Sequence, residues 1–343
     1  MEAENLMVTI YDIALKTGYS APTVSKALNK TGGLSNSTRK KILDAAKELG
    51  YRPNMTARAL TTKKSFLIGV IYEDADMQRG FDHPLFGKIL NKFRECLEFA
   101  GYDLLFISHA LIGEKKSYVE HCYHRNVDAV GIINPVSADN EIMELAESDI
   151  PCVSTNFIIP GVPTVVTANV DAGYKAASCF IKNGHKKIAY IGGTYSQYNM
   201  AAIDRLEGLK KAFKDFGLKY DESYVKFCHK WSRAESHDAM KELLERHDDI
   251  TAVFVANDNM AVGAMEYVKS IGKRIPDDIS FIGFDDEMIS EFYSPPLTTF
   301  RQDIKTIGEL SAEILMNRLV GIPVGECVRV PAIFIERNSV KKL

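Results

Sequence analysis

The chain has 343 residues, 46% hydrophobic and 25% charged, with a formal net charge of −3 at pH 7. That balance is ordinary for a globular protein and excludes a disordered or low-complexity chain. No run of about 18 apolar residues occurs, which excludes a membrane-spanning helix, and the acidic start at Glu2 and Glu4 lacks the apolar core of an export signal.

Met1–Met7 read as a disordered lead-in. Ile10, Ile13, Ala14 and Thr17 then recur at helical spacing, and Gly18 ends that short helix. Ser20 is placed to cap a second helix by accepting from the N–H of Thr23, and Pro22 falls in its first turn. Val24, Ala27 and Leu28 form its buried face, leaving Ala21, Pro22, Ser25, Lys26 and Asn29 outward. A third helix is predicted over Asn36–Leu49, capped by Ser35 and stopped by Gly50, with Ile42, Leu43, Ala46 and Leu49 as its inner stripe. Two short helices joined by a tight turn, the second carrying small, polar and basic residues outward, have the build of a helix-turn-helix that lays a recognition helix in the DNA major groove. Three amphipathic helices with no nucleic-acid role are the plainer alternative. Charge favours DNA: residues 1–64 hold 11 Lys and Arg against 5 Asp and Glu, leaving 31 against 40 in the remainder. A basic head is drawn to phosphates, while an acidic body resists non-specific adhesion to them.

Pro53 breaks the head pattern, and Asn54 can cap a helix too short to stand alone in water. The rhythm then changes. Apolar runs at Phe66–Ile71, Tyr102–Ile107, Ala129–Ile133, Pro151–Ser154, Lys187–Ile191, Ala252–Ala256 and Ile279–Phe284 read as buried strands. Helical stretches lie between them, at Phe86–Ala100, Val170–Asn183, Asp204–Phe216, Ala234–Arg246 and Ala261–Ile271. Strand–helix alternation predicts parallel sheets flanked by helices, and the 278 residues from Phe66 onward exceed one such core, so two lobes are expected.

Ligands of open α/β sheets sit at the carboxyl ends of strands. Arg205, placed at the start of a helix, Asn257-Asp258 after the strand ending at Ala256, and Asp285 after Phe284 all fall there. Such groups suit a polyhydroxyl ligand: carboxylate and amide bond hydroxyls, and guanidinium offers a rigid fork. Trp231, the single tryptophan, can stack on a sugar face, and Phe86 can pack from the other lobe. The bland readings are an ion pair for Arg205, turn-ordering for Asn257, Asp258 and Asp285, and core packing for Trp231 and Phe86. Gly192-Gly193-Thr194 reads as no more than a turn. His121-Cys122-Tyr123-His124 lacks the second pair of ligands that a zinc site needs.

The segment Val8–Asn29, with Ser35…Thr38-Arg39 and Gly50-Tyr51-Arg52-Pro53-Asn54, resembles the lactose/galactose repressor (LacI/GalR) family of bacterial transcription regulators, and the resemblance runs from Val8 through the whole chain. It implies an all-α helix-turn-helix head at 8–51, a hinge helix and linker at 52–65, and an α/β two-lobed, periplasmic-binding-protein-like body at 66–343. The N-lobe would take about 66–168 and 302–328, and the C-lobe about 169–301 and 329–343. It further implies DNA contacts from Thr9, Tyr11, Ser20, Ala21, Pro22, Thr23, Ser25, Lys26, Asn29, Ser35 and Thr38. The hinge would add Asn54, Ala57, Arg58 and Lys63, with Leu60 wedged between base steps in the minor groove. Arg205, Asn257 and Asp285 match positions that commonly bind the effector; Phe86, Asp171, Trp231 and Gln302 match positions that do so in some members.

The chain departs from the family at several points. Ala21 and Pro22 carry no side-chain donor, Lys26 stands where arginine is usual, and Ala168 replaces a frequent aspartate. The Glu73–Asp82 segment is longer and more acidic than usual. The expectation is a cytoplasmic repressor without cofactor or metal. It would bind a palindromic double-stranded operator as a homodimer, since no C-terminal heptads follow Ile335, and a sugar-like effector would switch it. Its six cysteines (96, 122, 152, 179, 228 and 327) read as reduced core thiols. A regulator controlled by a phosphorylated carrier protein is the alternative; a solute-binding protein or an enzyme of the same body fold ranks below both.

Overall fold

The computed structural model describes residues 8–29, 31–52, 64–72, 80–108, 110–111, 114–135, 140–196 and 199–343. They form two separate units, a head up to Ser65 and a body from Phe66 to Leu343.

In the head, α1 spans Ile10–Thr17, α2 Ala21–Leu28 and α3 Asn36–Glu48. The Asp12 carboxylate accepts from the Thr9 N–H at 2.7 Å and from its hydroxyl at 2.8 Å, closing the start of α1. Gly18 follows it at φ 74°, the left-handed conformation that ends a helix without penalty. The Ser20 hydroxyl accepts from Thr23 N–H at 3.4 Å, and that of Ser35 from Thr38 N–H at 3.1 Å, so both serines cap as expected. The core is Ile13, Val24, Ala27, Ile42, Ala45 and Ala46. One expectation fails: Leu43 is 40% exposed and Ala45 takes its place inside. With Ile42 and Ala46 on the inner line, position 45 is three residues from 42 and shares its face, while 43 turns about 100° away.

The body carries two parallel sheets. The first runs in the order Cys327–Val330, Thr164–Thr167, Cys152–Thr155, Ala129–Ile133, Leu67–Tyr72, Asp103–Phe106. The second runs Ser280–Ile282, Ala252–Val255, Ile188–Gly192, Val225–Phe227. Central strands such as Ala129–Ile133 and Ile188–Gly192 are buried at every residue, which is why they read as unbroken apolar runs. Helix Ile304–Leu319 follows the second sheet in sequence yet packs Ile307 and Leu315 into the first lobe's core beside Ile89 and Phe93. The chain therefore passes between lobes three times: after Thr167, through Thr299–Arg301, and after Val330. The strand Cys327–Val330 stays with the first sheet two residues past the boundary drawn at 328. Thr299–Arg301 pairs antiparallel with Ile333–Ile335, forming a two-stranded crossover.

Candidate functional site

A cavity of about 70 Å³ opens between the two lobes. That is several times the 10–15 Å³ or so needed by one water, so it suits a small molecule. From the first lobe it is lined by Asn134 and Asn156, each just beyond a strand end, and by His83, Leu85 and Phe86 at the head of helix Phe86–Phe99. From the second lobe come Asn199, Ala201, Arg205, Trp231, Asn257 and Asp285, and Gln302 follows the crossover strand. Both sheets thus point their carboxyl edges at one space.

Arg205 lies in the second turn of helix Ala201–Asp215, which begins three residues before the predicted Asp204, and it is only 4% exposed. Its Nε donates to Asn169 Oδ1 at 3.0 Å and its Nη1 to the Ala256 carbonyl at 2.5 Å. The guanidinium lies 3.5 Å over the Phe284 ring. Burial pulls its pKa below the ordinary value, and the nearby Asp285 carboxylate opposes that. Burial conversely raises the Asp285 carboxyl, against Arg205, a hydrogen bond from Gln302 and His83. Gln302 Nε2 donates to Asp285 Oδ1 at 2.6 Å, while its Oε1 accepts from the Thr167 hydroxyl. The neighbouring carboxylate, Asp286, accepts from Arg337 at 2.6 Å and from Arg301 at 2.7 Å; burial works against its ionisation, but the two guanidiniums prevail and its pKa falls.

Asn257 caps helix Asp258–Ser270, accepting from Met260 N–H at 2.7 Å, so the turn-ordering reading holds, and it also lines the cavity. Phe86 likewise serves core and cavity. His83 Nδ1 accepts from the N–H groups of Leu85 at 3.2 Å and Phe86 at 3.3 Å. Asn134, Asn156 and Asp285 hold φ of 50°, 67° and 104°, strained values for non-glycine residues that cluster at functional sites.

In the head, Tyr11, Pro22, Lys26 and Asn29 are exposed, as are Thr9, Ser20 and Ser35, while Ala21, Thr23, Ser25 and Thr38 are half-buried. Asn54, Ala57, Arg58, Leu60 and Lys63 lie outside the described residues, as does 73–79 of the acidic segment.

Residues 9–54 match the family model described as bacterial regulatory proteins, lacI family, and residues 177–340 match a periplasmic binding protein-like domain. The transcriptional repressor PurR of Haemophilus influenzae is 32% identical over 98% of this chain and all of its own length. This chain belongs to the lacI family of bacterial regulatory proteins. Regulator DegA of Bacillus subtilis is 31% identical over 88% of the chain and 89% of its own. A solved structure of the Lac repressor dimer bound to operator and an anti-inducer is 26% identical, with a TM-score of 0.77, covering 98% of this chain and 99% of that one. A CelR–cellobiose complex is 26% identical, with a TM-score of 0.67, over 97% and 99%. The chain is thus a DNA-binding transcription regulator with the head and two-lobed α/β body of its family. Among the described residues no helix is long and apolar enough to cross a membrane, and no group of three or more His, Cys, Asp or Glu could hold a metal ion.

Within this lacI-family body, six of the seven effector candidates meet at the cavity: Phe86, Arg205, Trp231, Asn257, Asp285 and Gln302. Asp171 does not. It is exposed in the first turn of helix Asn169–Lys182, and Asn169, about 200° around that helix, faces Arg205 instead. His83, Asn134, Asn156 and Asn199 were missed, although Asn134 and Asn156 follow apolar runs as Asn257 does. Gly193 does more than turn the chain. A Cβ there would lie 2.4 Å from Trp231 Cδ2, so its bare backbone is the shelf on which the indole rests.

Proposed function

We propose that this regulator is a cytoplasmic homodimeric repressor of a palindromic operator, released or engaged by a monosaccharide-sized, polyhydroxylated effector. The observation that carries the ligand class is the lining of the cavity. Amides from both lobes, an imidazole, a carboxylate and a guanidinium line one cavity together with Trp231, a pattern suited to many hydroxyls on a compact ring. The buried Arg205 is balanced by Asp285, which leaves little excess positive charge for a phosphate. Solved relatives include the CelR–cellobiose complex and a regulator from Enterococcus faecium with bound ribose. The exposed Tyr11, Pro22, Lys26 and Asn29 supply the DNA face, where Pro22 offers only apolar contact and Lys26 a point charge, so duplex deformability carries much of the sequence preference.

Thermal-shift titration with D-ribose, D-glucose, cellobiose, glucose 6-phosphate and adenine tests the site, because a ligand of the native state raises its melting temperature. A neutral sugar should stabilise the wild type and leave Arg205→Ala and Asp285→Gly unmoved. Stabilisation of both variants equal to wild type would refute the site. Removing residues 1–64 should abolish binding to a duplex selected by the full chain; retained specific binding would refute the head as the DNA reader.

A further inference from the structure

Asp258 is fully buried, lies outside the cavity lining, and has no part in the effector contacts above. It opens helix Asp258–Ser270, and its own N–H donates to the Phe284 carbonyl at 2.8 Å. Its two carboxylate oxygens serve different segments. Oδ2 accepts from the Glu287 backbone N–H at 2.9 Å and from the Ser290 hydroxyl at 2.6 Å. Oδ1 accepts from the Thr299 hydroxyl at 2.7 Å. One oxygen therefore holds the turn that follows strand Ser280–Ile282, and the other holds the crossover strand. A Cβ at Gly283 would come within 2.2 Å of Oδ1, so only glycine lets the strand end pass the carboxylate.

The turn needs such support. Asp285 and Asp286 take φ of 104° and 52° in succession, a conformation that persists only where the surroundings over-determine it. The crossover strand holds one side, through the Asp285 N–H donating to the Phe300 carbonyl at 2.7 Å and through Arg301 on Asp286. Asp258 holds the other side.

We propose that Asp258 is a positioning residue for effector recognition: its carboxylate ties the turn Asp285–Ser290 to the crossover strand and so presents Asp285 to the cavity. This rests on the reading of Asp285 as an effector contact. The bonds need acceptors at fixed places more than they need a charge. Asparagine keeps an oxygen for Glu287 and Ser290, and its amide can donate to the Thr299 hydroxyl, which turns to accept.

Amide hydrogen exchange across residues 283–292 of the full chain, without sugar, tests the tie, alongside thermal shifts with D-ribose, D-glucose and cellobiose. Asp258→Ala should speed exchange there by about tenfold or more while helix Phe86–Phe99 is unchanged, and should lose the sugar response. Asp258→Asn should restore both, to within about threefold in exchange. Unchanged exchange in Asp258→Ala, or Asp258→Asn as fast as Asp258→Ala, overturns the inference. Should Asp258→Ala not fold, Ser290→Ala and Thr299→Val each delete one donor; acceleration in neither overturns it as well. Asp285→Gly keeps the positive φ and leaves the tie in place. A full sugar response in that variant would refute the effector reading, while the exchange result still decides the role of Asp258.

Discussion

Replacing Gly208 by alanine decides whether close approach or helix propensity governs the helix that carries Arg205. Helices Asn169–Lys182 and Ala201–Asp215 cross with glycines at the contact. A Cβ on Gly208 would sit 2.0 Å from the Val170 carbonyl oxygen, and one on Gly173 would sit 1.9 Å from that of Arg205. Ordinary contact begins at 3.4 Å, so Gly208→Ala must push the helices apart by up to 1.4 Å (3.4 − 2.0). Arg205 lies one turn earlier, and its 3.0 Å bond to Asn169 spans the same two helices. A displacement of that size takes the bond beyond hydrogen-bonding distance. Overpacking costs about 1–3 kcal/mol and the lost charged bond about 1.5–3, against about 1 gained from helix propensity, for a net loss of roughly 1.5–5 kcal/mol. Urea unfolding followed by the fluorescence of Trp231, the single tryptophan, should show the midpoint falling accordingly. The sugar response should weaken with it. A midpoint that rises, corresponding to about 1 kcal/mol gained as propensity alone demands, would refute the close-approach argument.

Three further outcomes are expected. Arg205→Lys keeps a cation but cannot donate to both Asn169 and Ala256 while lying flat on Phe284; the thermal shift with sugar should vanish with only about 1–2 kcal/mol of stability lost, and an unaltered shift would remove the fork from the mechanism. His185 donates from Nε2 to the Lys341 carbonyl at 3.0 Å and accepts from the Thr251 hydroxyl at 3.0 Å, and burial lowers its pKa below 6.5. A depressed histidine contributes stability that is complete above the ordinary value and is lost as pH falls through the folded one. The thermal midpoint should therefore decline as pH falls below 6.5 and toward the lowered folded value, less so in His185→Asn; parallel profiles would count against it. Arg337→Met strips Asp286 of the less exposed of its two guanidinium partners and should cost about 1–2 kcal/mol at neutral pH. Because Asp286 is held below 3.8, the gap from wild type should close only as pH falls through that lowered value; a gap that persists in acid would place the loss elsewhere.

Much of the fold was legible because buried parallel strands are apolar at every position, and the seven predicted runs became strands to within a residue or two at most ends. The interior strand Thr164–Thr167, whose two threonines break its apolar run, and the 16-residue helix Ile304–Leu319 went unnamed, and the other strands that escaped were short or lay at an edge. Val225–Phe227 is half-buried throughout and shows no such run, and Thr299–Arg301 and Ile333–Ile335 have three residues each, too few for any period. In the cavity lining, Asn257 and Asp285 could be found because charge or amide at a strand end is unusual enough to notice, while Arg205 sits in the second turn of a helix. Asn134 and Asn156 obey the same rule, but an asparagine after a strand also reads as a turn, and here each lines the cavity while held at positive φ. Asp258 was grouped with Asn257 as a ligand candidate, yet only coordinates separate an outward cap from an inward tie.

The position of Gln302 joins these parts. It follows the crossover strand, bonds Asp285 on one side and Thr167 on the other, and lines the cavity. Thr167 ends the strand from which the chain first leaves the first lobe, and the next residue, Ala168, donates to the Val330 carbonyl at 2.8 Å, where the chain leaves it again. All three passages between lobes are thus tied, through buried hydrogen bonds, to one wall of the cavity. Buried bonds of this kind cannot stretch to absorb a change of lobe angle; they keep their partners or exchange them. A molecule seated against Gln302 and Asp285 therefore prefers one lobe arrangement over another by the difference in its bonds to them. A ligand can shift a conformational equilibrium only by its differential interaction free energy with the two states, and these bonds contribute to it.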